Sequence, residues 1–245
     1  MKKKLLFAAL YVASALGFNA NAEDVTSKYI PNPGFEDCTP YSENISAAEA
    51  TDRNVNYAEK GWTASAGVAW CSAAVVAYGG TGQVNGVFAP AADNAGNGGN
   101  ALGVSVGWDG EVTYTTAKVT LPAGYYVLTA HTNNQLVGVT QFSSKLGFAA
   151  TNGTSYISNK KYFAYNEWTE DQVVFYLAED TEGSIQVGGK AVSGGSAANA
   201  KVFFDNLTLE YYAQYELPVD VTNKVNTGGW QSESEKGNVG DYNLK

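Results

Sequence analysis

The chain has 245 residues, with 15 Lys and Arg against 24 Asp and Glu, one His, two Cys and one Met. Its 44% hydrophobic content runs through the whole length, which excludes a disordered chain, and Gly, Thr, Asn, Tyr and Val at the expense of Leu, Glu and Lys exclude a helical bundle. A net charge of −9 repels a polyanion at long range, so no nucleic-acid partner is expected.

Met1 to Lys4 is a positive start, Leu5 to Phe18 is an apolar run, and Ala20-Asn21-Ala22 offers a small-residue cleavage site. Residues 1–22 therefore read as a signal peptide, because the apolar run falls short of the roughly 20 residues a spanning helix needs. The mature chain is expected to be secreted, periplasmic or held at the cell surface, with no membrane span. Removing the three lysines leaves 12 basic against 24 acidic side chains, a net charge of −12. Export makes a Cys38–Cys71 disulfide the default expectation for the only two cysteines. Two buried thiols are the rival reading; a metal pair has no C-x-x-C spacing and only His131 as an imidazole to support it.

Beyond residue 22 the patterns are short and alternating, with turn residues every eight to twelve positions, the signature of an antiparallel sandwich. Ala47 to Lys60 is the one stretch with any helical character. Tyr78 to Asn100 holds seven glycines and reads as a long exposed loop. Leu102, Val104 and Val106 alternate with Gly103 and Ser105. Glu111 to Leu121 is a strand ending at the turn Pro122-Ala123-Gly124. Tyr126, Leu128 and Ala130 then share one face, with Tyr125, Val127, Thr129 and His131 on the other. Val173, Phe175 and Leu177 mark the next strand, Ile185 and Val187 a short one, and Val202 to Tyr212 a long one. Gly188 to Ala200 reads as a second loop. Residues 213–245 read as a linker and the possible start of an incomplete second module, since Asp220 to Lys224 echoes Asp24 to Lys28.

Five motifs in order carry a resemblance. They are Asn32-Pro33-Gly34-Phe35-Glu36, Gly61-Trp62, Leu121-Pro122-Ala123-Gly124-Tyr125-Tyr126, Trp168 ahead of Val173 and Phe175, and Phe204-Asp205-Asn206-Leu207-Thr208-Leu209. Together they resemble the galactose-binding-like jelly-roll domains, among them many carbohydrate-binding modules. The resemblance spans residues 24–212 and implies an all-β, jelly-roll-like antiparallel β-sandwich followed by an irregular C-terminal tail. It also implies a structural calcium near the terminal strands, for which Glu36 and Asp205 are the candidates. The parity of Phe203, Asp205, Leu207 and Leu209 points Asp205 among apolar side chains, where a carboxylate is costly unless paired.

Sugar rings stack on aromatic faces, so the candidates for ligand contact are Trp108, in the turn Gly107-Trp108-Asp109-Gly110, with Tyr78 and Phe88 flanking the glycine-rich loop. Trp62, Trp70 and Trp168 are assigned to the core. No G-x-S-x-G, H-E-x-x-H or phosphate-cradling glycine loop occurs, so no enzyme activity is expected. The expected function is a non-catalytic module that binds a polysaccharide or glycan as part of a larger carbohydrate-active protein. The alternative is a structural or adhesion module with a protein partner; an exposed platform of two or more rings favours the first reading.

Overall fold

The computed structural model describes residues 22–45, 61–64, 71–107, 110–136, 142–161, 163–191 and 200–213. Residues 1–21 of the proposed signal segment, the stretch 47–60, Trp70, Trp108 and the tail from 214 lie outside the described residues. The described chain is a sandwich of antiparallel sheets, as the alternation implies. Its strands are β1 (Glu23–Asp24), β2 (Asn44–Ile45), β3 (Trp62–Ala64), β4 (Ser72–Ala77), β5 (Gln83–Val84), β6 (Val87–Phe88), β7 (Asn100–Val106) and β8 (Glu111–Thr116). They continue as β9 (Val119–Leu121), β10 (Gly124–Asn134), β11 (Phe142–Ser144), β12 (Gly147–Ala150), β13 (Ser155–Ile157), β14 (Trp168–Leu177), β15 (Thr181–Ala191) and β16 (Ala200–Tyr212). One turn of helix, α1 (Thr26–Tyr29), follows β1.

A six-stranded sheet runs β14-β10-β16-β7-β4, with β1 added to β16. A seven-stranded sheet runs β13-β12-β15-β8-β3, with β9 and β11 also on β15. A small third sheet, β2-β5-β6, lies over part of the outer face of the six-stranded one, where Val84 meets Gly103 and Phe203. The main core forms between the two large sheets because alternate residues of each strand turn inward. Tyr126, Leu128 and Ala130 of β10 meet Val173, Phe175 and Leu177 of β14 on one side. Tyr114, Phe148, Ile185 and Val187 face them from the other. Phe175 stacks between Tyr126 at 5.2 Å and Phe148 at 5.7 Å between centroids. Each such side chain contributes about 1.5–3 kcal/mol by leaving water. Trp62 is fully buried as expected, and its indole N–H donates to the Pro31 carbonyl at 2.7 Å.

Four expectations need correction. First, the Tyr78–Asn100 segment contains the β5–β6 hairpin. Asn85 and Gly86 take φ values of 49° and 77°, the left-handed pair that a two-residue hairpin turn requires. Second, β15 runs through Gly188 and Gly189 to Ala191. A side chain at Gly189 would run into the Phe142 ring, so glycine serves here to let β11 and β15 pack closely. Third, Asp205 does not share a face with Leu207 and Leu209. The β10–β16 register shifts between Thr129 and His131, and Asn206 has φ 48°, so the bulge turns Leu207 and Leu209 into the main core and leaves Asp205 on the outer face with Phe203.

The fourth correction concerns the cysteines: the Cys38–Cys71 disulfide is not formed. Both residues are buried, but Cys71 precedes β4 and its thiol points to the Gly107 carbonyl at 3.9 Å, beyond the far end of β7. The Cys38 carbonyl accepts from the Asn100 side chain at 3.1 Å, at the near end of β7, and its sulfur accepts from Asn32 at 3.3 Å. The β4–β7 ladder separates those ends by about 20 Å at the usual rise per residue, so the pair cannot approach the roughly 7 Å between Cα atoms that a bridge needs.

Candidate functional site

The two large sheets present different outer faces. The seven-stranded sheet turns Glu111, Thr115, Ser184 and Lys190 outward, each at least partly exposed, with Thr113 and Gln186 buried among them. The outer side of the six-stranded sheet holds a second core cluster under the small sheet, built from Ile45, Ala74, Val76, Tyr78, Val84, Ala89, Ala101 and Phe203. The exposed large apolar side chains among the described residues are Phe88 at 51%, Tyr165 at 52% and Val174 at 41% exposure; Phe88 follows Val87 at the edge of the cluster, Tyr165 lies three residues before Trp168, and Val174 lies six residues along β14 beyond it. Trp168, which the sequence reading placed in the core, is only half-buried and packs on the rim of this second cluster.

Local chemistry explains how the rings are held. Val84 and Val87 turn toward the second cluster, so their neighbours Gln83 and Phe88, paired across the hairpin, face away from it. The chain then returns over the sheet, and the Ala92 carbonyl accepts the Trp168 indole N–H at 3.1 Å. Trp168 meets Tyr78 edge-on at 6.1 Å between centroids. Tyr165 stands just before β14, bridged to Asn134 at the end of β10, and Asn166 beside it adopts φ 50°. Carboxamides fill the same end: Gln135 donates to Asn133 at 2.6 Å and to Asn166 at 3.1 Å, and Asn85 donates to Ser105 at 3.2 Å. Aromatic faces beside carboxamides can take apolar C–H surfaces and hydroxyl groups together.

Below this rim lies a polar set centred on Asp205, which is 1% exposed. Its carboxylate accepts from the Tyr78 hydroxyl at 2.6 Å, from the Asn206 backbone N–H at 2.6 Å and from the Asn206 side chain at 3.1 Å. Burial pushes its carboxyl up to about 7, against the pull of those donors. Asn206 also donates to Asn94, whose amide meets His131 at 3.3 Å. His131 is buried rather than a surface histidine, and burial lowers its pKa while Glu170 at 3.8 Å opposes the shift. Glu36 accepts the Asn100 backbone N–H at 3.2 Å. A Cβ at Gly34 would be 3.6 Å from the Asp205 carboxylate and 3.7 Å from Glu36 Cγ, ordinary contact with both.

Of the residues expected to contact a ligand, Phe88 is exposed on the rim, and Trp108 lies outside the described residues. Tyr78 corrects the expectation: its ring is in the second cluster and its hydroxyl is committed to Asp205, so it supports the rim from below. Glu36 and Asp205 are brought to one neighbourhood. Among the described residues no three His, Cys, Asp or Glu side chains converge to hold a metal, whereas calcium takes six to eight oxygens. Tyr165, Asn166, Gln135 and Asn85 were missed by the sequence reading. Their visible signals are the aromatic-Asn run Phe163-Ala164-Tyr165-Asn166-Glu167-Trp168 and the Asn85-Gly86 dipeptide.

No family model and no curated protein matches the sequence. Solved structures with a similar arrangement include TmCBM61 in complex with β-1,4-galactotriose, 19% identical, with a TM-score of 0.40, covering 74% of this chain and 96% of that one. Another is the CBM22-1 xylan-binding domain of Xyn10C from Paenibacillus barcinonensis, 14% identical, TM-score 0.40, covering 69% and 93%. A third is the family 11 carbohydrate-binding module of Lic26A-Cel5E from Clostridium thermocellum, 12% identical, TM-score 0.34, covering 64% and 91%.

Proposed function

We propose that the chain is a glycan-binding module that contacts sugar through the rim on the outer side of its six-stranded sheet. One observation carries this reading: Phe88, facing outward on the β5–β6 hairpin, and Tyr165, three residues before half-buried Trp168, are exposed rings in the neighbourhood of the carboxamides of Asn85, Asn133, Gln135 and Asn166. Rings offer flat apolar surface to sugar C–H groups, and carboxamides donate to and accept from sugar hydroxyls. The module has no catalytic role in this proposal, acts after export, and serves a larger carbohydrate-active protein.

Calcium belongs to the proposal as a structural ion shared by Glu36 and Asp205, supplying positive charge beside a buried carboxylate. A melting temperature that rises with calcium and falls with EDTA supports it; an unchanged melting curve removes it. The sugar reading is tested by retention of the intact chain in gels containing soluble polysaccharides, neutral and acidic. Retention on at least one, lost in the Phe88→Ala/Tyr165→Ala double variant, is the expected result. Absence of retention on every polysaccharide would return the chain to the structural-module reading.

A further inference from the structure

The segment that carries Tyr165 leaves the seven-stranded sheet after β13 and enters the six-stranded sheet at β14. Its two ends are laced together where they pass. Ser158, just after β13, donates to buried Asp171 of β14, and the same hydroxyl oxygen accepts the Lys160 backbone N–H at 3.1 Å. The Ser144 backbone N–H donates to the Lys160 carbonyl at 3.0 Å. Lys160 is thus fixed by its backbone at one end of the segment, and its side chain crosses to the other. Its ammonium donates to the Glu170 carbonyl at 2.7 Å, the Thr169 hydroxyl at 2.8 Å and the Thr132 hydroxyl at 3.0 Å. Thr132 and Thr169 face each other across β10 and β14. An ammonium has three N–H donors, and all three are used.

A lysine on a solvated face carries its ammonium into water. Here the group is drawn inward, and burial lowers its pKa against the pull of Asp171 and Glu170. The Glu170 carboxylate faces His131 at 3.8 Å, so Lys160 holds the backbone of Glu170 and not its charge. The ammonium also lies 4.8 Å from the ring centre of Phe163, which is buried and meets Phe142 edge-on at 5.0 Å. Beyond Phe163 the segment is pinned by Asn134, buried at the end of β10. Its side-chain amide donates to the Phe163 carbonyl at 3.2 Å, and its own carbonyl accepts the Asn166 backbone N–H at 2.7 Å. Tyr165 therefore stands between two points held by one residue, above a neck that Lys160 closes.

We propose that Lys160 is a positioning residue for glycan binding: by tying the two ends of this segment together, it holds the Tyr165 ring and the Asn166 carboxamide ready for a sugar that it does not itself touch. The proposal rests on the rim reading and adds to it a residue behind the rim. A ring held in place before the sugar arrives loses less freedom on binding, so the neck contributes to affinity without a contact of its own.

The test is electrophoresis of the intact chain in gels containing hydroxyethyl cellulose, mannan or polygalacturonate, using the one that retains the parent most strongly, with hydrogen exchange of the free chain beside it. Lys160→Met should weaken retention at least threefold and speed exchange of the Asn166 amide. Lys160→Arg, which keeps N–H donors near the same oxygens, should stay within twofold of the parent. In the Tyr165→Ala background Lys160→Met should cause no further loss, because the ring it positions is gone. Should Lys160→Met not fold, Thr169→Val removes one of the acceptors and should give a smaller loss with the same dependence on Tyr165. Full retention by the folded Lys160→Met chain, a loss that adds undiminished to that of Tyr165→Ala, or no recovery in Lys160→Arg overturns the proposal alone. Undiminished retention in Tyr165→Ala, or no retention of the parent, overturns the rim reading and the proposal with it.

Discussion

The outer faces of the two large sheets are made by the same alternation and yet differ in what they carry. On the seven-stranded sheet the outward positions hold Thr115, Ser184 and Lys190, which reach water, and Thr113 and Gln186, which are buried, all of them polar. On the six-stranded sheet the outward positions of β7 and β16 hold Ala101, Gly103 and Phe203, which need cover, and the β5–β6 hairpin supplies it. Covering part of a sheet face creates a rim; exposed Phe88 stands on it and buried His131 and Asp205 lie beneath it, whereas buried Asp171 lies between the two large sheets. Alternation gives both sheets outward positions; the added layer that ends partway across the six-stranded sheet gives that sheet a rim.

The comparison can be broken by substitution. The largest effect is expected from the Phe88→Ala/Tyr165→Ala double variant, which should weaken polysaccharide retention more than tenfold, about 1.4 kcal/mol, with little change in melting temperature because both rings are exposed. Undiminished retention in gel electrophoresis would place the ligand elsewhere. Next is Tyr78→Phe, which removes one of the donors to buried Asp205 and should cost about 1–3 kcal/mol of stability by chemical denaturation. A loss within error would show that Asp205 does not depend on that hydroxyl.

A smaller, pH-dependent effect sharpens the contrast. Asp205 has its carboxyl pKa raised from 3.8 to about 7 by burial, so between those values the folded state binds a proton that the unfolded state has released. Its contribution to stability therefore falls as pH rises across that window and is lowest above pH 7. In EDTA, Asp205→Asn should flatten this part of the melting-temperature profile relative to the parent; an identical slope in both would remove Asp205 as its source. The smallest effect belongs to the other sheet. Ser184→Ala and Lys118→Ala should each change stability by no more than about 0.5 kcal/mol and leave retention unchanged, since Ser184 lies on the outward face and the Lys118–Glu182 pair is exposed. Loss of retention in either would make the two faces equivalent.

Much of the sandwich was legible because its strands obey a period of two. The inward faces at Tyr126, Leu128 and Ala130 and at Val173, Phe175 and Leu177 follow directly from alternation. The rim was less legible, for three physical reasons. Glycine signals both loops and close strand contacts, so Gly188 and Gly189 were read as a loop although a side chain at Gly189 would strike the Phe142 ring and one at Gly188 the Val112 backbone. A bulge at Asn206 resets parity in mid-strand, which no alternation pattern reveals. Pairing across sequence distance is set by topology: the two cysteines were joined in the reading because they are the only pair, and the ladder holds them at opposite ends. Asn85-Gly86 was an available hairpin signal, outweighed by the glycine content around it.

The central claim is that sugar meets the covered side of the six-stranded sheet. Hydrogen exchange of the intact chain, measured with and without the polysaccharide that best retains it in gels, tests this most directly. The account predicts ligand-dependent protection in the β5–β6 hairpin and around Tyr165 to Trp168, with none in β8 and β15. Protection confined to β8 and β15, or none in the hairpin and the Tyr165–Trp168 segment while binding is saturated, would contradict it.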